Sequence, residues 1–227
     1  MAEGEECIFY AVIEGNQEVS PGVLRFQIVN NRIVNNRLVK RGKIDLYPYD
    51  TIDLYPHDTN KLDLATMGSH HADFHPDGIY IYIGSGEGHV FVIDKDRWEI
   101  ITMIEVGLGA GHTTFLPMID RAIITNQNST FVTVINTDEH QFIKNIEVAS
   151  SADPSYKSQA HTSAVNIAMT YFYSAASHDG TFFRIALDTL DELDIVNVPA
   201  TDKLPILDGT RNPNLLMESF SWDISQM

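Results

Sequence analysis

Three histidines recur along the chain at matching positions of a repeated pattern. His71, His112 and His161 are 41 and 49 residues apart, and each stands before a short run of strand-forming residues. Neutral imidazole nitrogens are common ligands of copper, zinc and iron. Because the three lie far apart in the sequence, they can serve one ion only if a repeated fold brings them together.

Each histidine begins a segment in which four short strands are predicted, separated by turn motifs such as HPDG, GSGEG and NQNS. The first segment reads HADFHPDGIYIYIGSGEGHVFVIDKDRWEIITMIEV, and the two that follow repeat its alternation. A period near 40 residues with four strands per unit is typical of a β-propeller blade. The fold class is therefore predicted as all-β, a propeller of four-stranded antiparallel blades. The clearest blades are residues 68–107, 108–148 and 158–198.

The first strand of a propeller blade lines the central channel, so its starting residue lies at the channel mouth, on the same rim in every blade. His71, His112 and His161 are therefore predicted to converge into a metal site for copper or zinc. The glycines of GLGAG before His112 allow a sharp turn close to the axis, because glycine tolerates positive φ. His70 and His178 are further candidate ligands.

Two alternatives to a metal site stay open at this point. Histidines at blade starts can simply hydrogen-bond a neighbouring strand, and repeated blades inherit the same residue without any ligand. The same rim could also hold an organic or haem ligand. Whether the protein is an enzyme is left open.

The segment FHPDGIYIYIGSGEGHVFVID, followed by IEVG, resembles the YVTN repeat of bacterial and archaeal propellers. The resemblance covers Gly68 to Val198 and concerns architecture. Within it, GLGAGHTTF and SHHADF are similar to segments of the nitrous oxide reductase propeller, where histidines at the axis bind copper. This resemblance implies a copper-dependent redox protein as an alternative to a binding or scaffold propeller. The 227 residues contain no two-cysteine copper segment and too few axial histidines for a multicopper cluster, so nitrous oxide reduction is not expected.

The flanking segments are predicted to complete the ring. Strands are expected at Cys7–Ile13, Val23–Val29 and Arg32–Lys40, and a short one at Ser219–Ile224 near the C-terminus. With them, about five blades of 40 to 45 residues would make residues 1–227 a single domain. A smaller number of blades would leave open edges, which a second chain could close as a homodimer.

Other polar and aromatic residues are given ordinary structural roles. Asp73 and Asp77 are considered as an acid and base pair, but both are assigned to a turn. Trp98 and Trp222 are expected to pack from strand positions. Four further histidines are expected to be exposed, in turns or at strand edges: His57, His75, His89 and His140.

Charge and hydropathy limit the partners. The chain carries 15 basic and 31 acidic residues, a net charge of −16, which would repel a nucleic acid backbone. No apolar run approaches the ~18 residues that cross a bilayer, so no membrane span is expected. Partners are expected to be a protein or a small molecule on the loop face. The YVTN resemblance implies a periplasmic or extracellular protein; since no signal peptide is recognised in the chain, a cytoplasmic location is the alternative.

Overall fold

The computed structural model describes residues 7–13, 22–29, 37–45, 69–148, 160–176, 181–190 and 193–197. Every regular element within these ranges is a β-strand. No helix that could span a membrane is found among them. The strands are rich in valine, isoleucine and aromatic residues, whose side chains fit a pleated, half-buried surface.

The N-terminal strands form one antiparallel sheet in the order β1, β2, β3. Their bounds are Cys7–Ile13, Gly22–Val29 and Arg37–Asp45. Strand β3 runs past its predicted end at Lys40 because it pairs with the whole of β2, from Val29 opposite Arg37 to Gly22 opposite Asp45. The predicted start of this strand at Arg32 and the predicted strand Ser219–Ile224 lie outside the described residues.

Three four-stranded antiparallel sheets follow, each with its strands in sequence order. Sheet I contains β4 (Ser69–Phe74), β5 (Tyr80–Ser85), β6 (His89–Asp94) and β7 (Glu99–Glu105). Sheet II contains β8 (Ala110–Leu116), β9 (Arg121–Asn126), β10 (Phe131–Asn136) and β11 (Gln141–Glu147). Sheet III contains β12 (Ala160–Val165), β13 (Tyr171–Ala176), β14 (Thr181–Ala186) and β15 (Leu193–Asn197). The predicted fold class, all-β with four-stranded antiparallel blades, is confirmed.

The turns of the three sheets repeat as closely as the strands do. Just before the second strand, a residue with left-handed backbone occurs in each sheet: Gly78, Asp120 and Met169. Another occurs before the fourth strand: Trp98, His140 and Leu190. Trp98 therefore lies in a turn and not in a strand as predicted. There its ring centroid lies 5.8 Å from that of Tyr10, with 35° between the ring planes, and the guanidinium of Arg25 lies 4.9 Å from its ring centroid.

The core lies between neighbouring sheets. One cluster joins Val23 of β2 to the apolar face of sheet I, and a second joins sheet I to sheet II around Tyr82 and Ile124. A third joins sheet II to sheet III around Val134 and Phe172. Each sheet thus packs on the next by its face, the arrangement of propeller blades. The first strands of consecutive sheets also contact one another: β1 with β4, β4 with β8, and β8 with β12.

Candidate metal site

Each first strand of sheets I to III carries a β-bulge at its histidine. Between Ser69 and Ala72, two residues of β4 face one residue of β5, and the same irregularity lies between Ala110 and Thr113 of β8. Strand β12 repeats it beyond Ala160. A bulge bends the strand and re-aims the side chains near it. The histidines were predicted at strand starts, but the strands begin one or two residues earlier and the histidines occupy the bulges.

The three imidazole rings converge across three sheets. The ring centroids of His71 and His112 are 3.8 Å apart, and the rings are stacked with 18° between their planes. The centroid of His161 lies 5.5 Å from that of His71 and 5.3 Å from that of His112. One ring nitrogen from each residue lies within 4.8 Å of the other two. All three residues are half-buried. The predicted convergence is present, while metal binding itself stays a prediction.

The third histidine is displaced by one residue within its bulge. Each bulge consists of two residues that face one residue of the next strand. His71 and His112 are the second residue of their bulges, whereas His161 is the first residue of its bulge. In strand register, His161 therefore corresponds to His70 and not to His71. His70 lies in the bulge of β4, and His178 lies outside the described residues.

A buried hydroxyl joins two of the histidine segments. Thr125 lies in β9, opposite the bulge of its own sheet, and is fully buried. Its Oγ1 accepts a hydrogen bond from the backbone N–H of His112 at 3.1 Å and donates one to the backbone carbonyl of His161 at 2.8 Å. The threonine therefore fixes the backbone of His161 relative to that of His112 across the boundary between sheets II and III.

Glycines permit the close approach of sheets I and II. A Cβ on Gly84, opposite the bulge of β4, would lie 2.4 Å from the backbone oxygen of Ala110. Gly109 has a φ of +70°, which few other residues adopt cheaply. Its N–H donates to the carbonyl of Gly86 and its carbonyl accepts from the N–H of Gln127, so the loop before His112 is tied to both sheets. The predicted sharp turn before His112 is present at Gly109.

Asp73 lies beside the histidines, in strand β4 and not in the turn to which it was assigned. Its Oδ2 accepts a hydrogen bond from the N–H of Thr113 at 2.7 Å, and its Oδ1 lies 3.8 Å from Nδ1 of His112. The turn assignment holds for Asp77, whose Oδ1 accepts from the N–H of Ile79. Of these two aspartates, Asp73 is the one that faces the cluster, because a strand position two residues after His71 points to the same side.

Three other histidines are half-buried, against the expectation of exposure; His57 lies outside the described residues. His75 packs edge-on against Phe115, and its Nδ1 lies 2.9 Å from Oδ1 of Asp77. His140 shares a short hydrogen bond of 2.5 Å with the hydroxyl of Tyr82, which is fully buried. Burial raises the pKa of the Tyr82 hydroxyl and lowers the pKa of His140, to which nearby His75 also contributes.

The fold and the site together define a protein of β-propeller type with three histidines gathered from its inner strands. No family model matches the chain, and no curated protein matches it in sequence. The resemblance to YVTN repeats and to the nitrous oxide reductase propeller therefore remains a prediction.

Solved structures with a similar fold are found. For Kuenenia stuttgartiensis hydrazine synthase, the match covers 78% of this chain and 44% of the hydrazine synthase chain, at 14% identity and a TM-score of 0.54. For the dihydro-heme d1 dehydrogenase NirN, in complex with DHE, the match covers 80% of this chain and 34% of the NirN chain, at 15% identity and a TM-score of 0.51. For Citrobacter koseri AztD, the match covers 84% of this chain and 44% of the AztD chain, at 10% identity and a TM-score of 0.52. The chain thus spans less than half the length of these chains, and the likeness concerns the fold.

Proposed function

We propose that this protein binds one transition-metal ion, copper or zinc, through His71, His112 and His161. The observation that carries the proposal is the convergence of three ring nitrogens, one from each of three consecutive sheets, within 4.8 Å of one another. Repetition of the blades alone brings the three histidines to the same rim. What favours a metal is that one ring nitrogen of each lies close enough to the other two to approach a single ion. The hydrogen bonds with Thr125 use the backbone groups of His112 and His161, while their rings turn toward each other.

The three side chains must rotate before they can hold one ion, because the rings of His71 and His112 are stacked face to face in the structure. Zinc–nitrogen bonds are about 2.0–2.1 Å long, so three nitrogens in a tetrahedral arrangement lie roughly 3.4 Å apart. An imidazole binds a metal through the lone pair in its ring plane, so one of the two stacked rings has to turn until its nitrogen points at the same ion as the other two. The nitrogens, now within 4.8 Å of one another, also have to come closer. Imidazole nitrogens suit copper and zinc, whereas calcium and magnesium prefer oxygen. Three protein ligands leave a coordination position open, as in catalytic zinc sites.

The similar solved structures do not indicate which activity this protein has. Hydrazine synthase and dihydro-heme d1 dehydrogenase are enzymes by name, but a shared fold at 10–15% identity does not transfer a reaction. We therefore propose metal binding in a propeller that serves as a binding or scaffold protein, with copper redox chemistry as the alternative. We also propose a periplasmic or extracellular location, a protein partner on the loop face and assembly as a homodimer.

The test is the metal content of protein purified without a histidine tag. After incubation with Zn²⁺ or Cu²⁺ at neutral pH and desalting, elemental analysis should find about one ion per chain. His112→Ala should lose it, because a ligand is removed; loss of even an outer hydrogen-bonding partner costs about 10- to 100-fold in affinity. His89→Ala is the matched control, since His89 begins β6 at the end of sheet I where the β4 bulge also lies.

Absence of bound metal in the wild type, or equal metal content in wild type and His112→Ala, would overturn the proposal. Circular dichroism shows whether each variant keeps its strands. If His112→Ala does not fold, His71→Ala and His161→Ala provide the same comparison from different sheets.

A further inference from the structure

A second tier of polar side chains follows the histidines along the three first strands. Two residues after each histidine stand Asp73, Thr114 and Ser163. The hydroxyls of Thr114 and Ser163 share a hydrogen bond between sheets II and III. The carboxylate of Asp73 contacts sheet II through the N–H of Thr113. The three side chains therefore line one space next to the histidine cluster.

That space is a cavity of about 220 Å³ lined by Asp73, His112, Thr113, Thr114 and Ser163. It is directly connected to the proposed metal site because His112 belongs to both. At about 30 Å³ for each water, it has room for several waters or for one molecule of a few heavy atoms.

The lining selects a kind of ligand by its charge. Among the described residues it contains the carboxylate of Asp73 and the hydroxyls of Thr114 and Ser163, and no lysine or arginine. Oδ1 of Asp73 lies 3.8 Å from Nδ1 of His112, so its negative charge acts close to anything bound at the metal. Carboxylate and hydroxyl oxygens accept hydrogen bonds, and the carboxylate repels anions.

We infer that this cavity binds a small uncharged molecule with an N–H or O–H donor, which occupies the open position of the metal. The inference rests on the proposed metal site. A lone pair of the ligand forms a bond to the metal, the bond to a metal-bound water breaks, and the water leaves. The donor group of the ligand hydrogen-bonds to Asp73 or to the hydroxyls, and Asp73 disfavours anionic ligands.

The test uses copper-loaded protein titrated with imidazole, a neutral ligand with an N–H, and with azide, an anion. Binding is followed by the visible and paramagnetic resonance spectra of Cu²⁺, and metal retention is checked after each titration. We expect Asp73→Asn to raise the azide affinity relative to the imidazole affinity by at least about tenfold, since removal of a unit charge near the site removes repulsion. The asparagine oxygen can still accept the hydrogen bond from Thr113.

Asp96→Asn is the matched control, because it removes the same charge from an exposed turn at the opposite end of sheet I. It should leave the affinity ratio unchanged. The inference is overturned if Asp73→Asn leaves the ratio at the wild-type value, or if Asp96→Asn changes it equally. Asp73→Ser, which is also neutral, replaces Asp73→Asn if that variant does not fold. A wild type that retains no copper contradicts the metal site itself, whereas a loaded protein with an unchanged ratio contradicts only the ligand inference.

Discussion

The hydroxyl of Thr125 donates a hydrogen bond to the backbone carbonyl of His161, 2.8 Å away in the next sheet. The same oxygen accepts the N–H of His112. One buried side chain thus sets the separation of two histidines that are 49 residues apart in the sequence. The arrangement of the cluster depends on this contact between sheets and not only on the histidines.

Replacement of Thr125 by valine should therefore disturb both stability and the site. Thr125→Val keeps the shape but leaves a backbone N–H and a carbonyl without their partner, at a cost of about 1–3 kcal/mol in the free energy of unfolding. The affinity for zinc should fall as well, because the two histidine segments are no longer tied. Thr125→Ser keeps the hydroxyl and should restore the affinity. Urea unfolding and zinc titration of both variants give the comparison; equal behaviour of valine and serine would contradict it.

Gly84 should tolerate no side chain. The Cβ of Gly84→Ala would lie 2.4 Å from the backbone oxygen of Ala110, so β8 must move, and His112 with it. Overpacking of this kind costs about 1–3 kcal/mol, and zinc affinity should fall. Gly78→Ala is the control, because its Cβ meets nothing within 4 Å and only its φ of +72° is unfavourable. It should lower the melting temperature but leave zinc affinity unchanged. An unaltered affinity in Gly84→Ala would show that β8 does not need this contact.

The burial of His140 should make stability depend on pH. Burial lowers the pKa of His140 in the folded protein, with His75 adding to the effect and Asp77 and Asp138 opposing it. The unfolded chain then takes up the proton first, below its pKa of about 6.5. Stability from this group is present above that pH and lost as the pH falls through the lowered folded-state pKa. His140→Gln should lose less stability than the wild type between pH 7.5 and 5, as measured by urea unfolding. Equal losses in the free energy of unfolding between pH 7.5 and 5 in the wild type and in His140→Gln would contradict this role.

The sequence predicts the repeated architecture well because turns and alternation are local features. The HPDG turn and the β-branched residues of its strands are enough to predict sheet I, even when nothing is known of the neighbouring sheets. The recurrence of His71, His112 and His161 likewise predicts that they meet, since equivalent residues of repeated blades face the same axis.

Features that depend on pairing between strands were not predicted. The bulges arise from the register of two strands, so the displacement of His161 by one residue is invisible in a repeat alignment. Asp73 was assigned to the turn beside it, although its position two residues after His71 could have placed it on the same face. Thr125 carried one local signal, because it is a polar residue directly after the apolar run Ala122–Ile124 of its strand. His140 was expected to be exposed because it lies in a turn, and the turn gave no sign of its partner Tyr82, which comes from another repeat.

The most direct test of the account is X-ray absorption spectroscopy of the zinc- or copper-loaded protein. The ligand shell should show three imidazole nitrogens at about 2.0–2.1 Å, with the multiple scattering that imidazole rings produce. His112→Ala should lose part of this signal and most of its metal. With a net charge of −16, the protein could also attract cations to surface carboxylates. A shell of oxygen ligands without imidazole scattering, the same in wild type and His112→Ala, would contradict the proposed site.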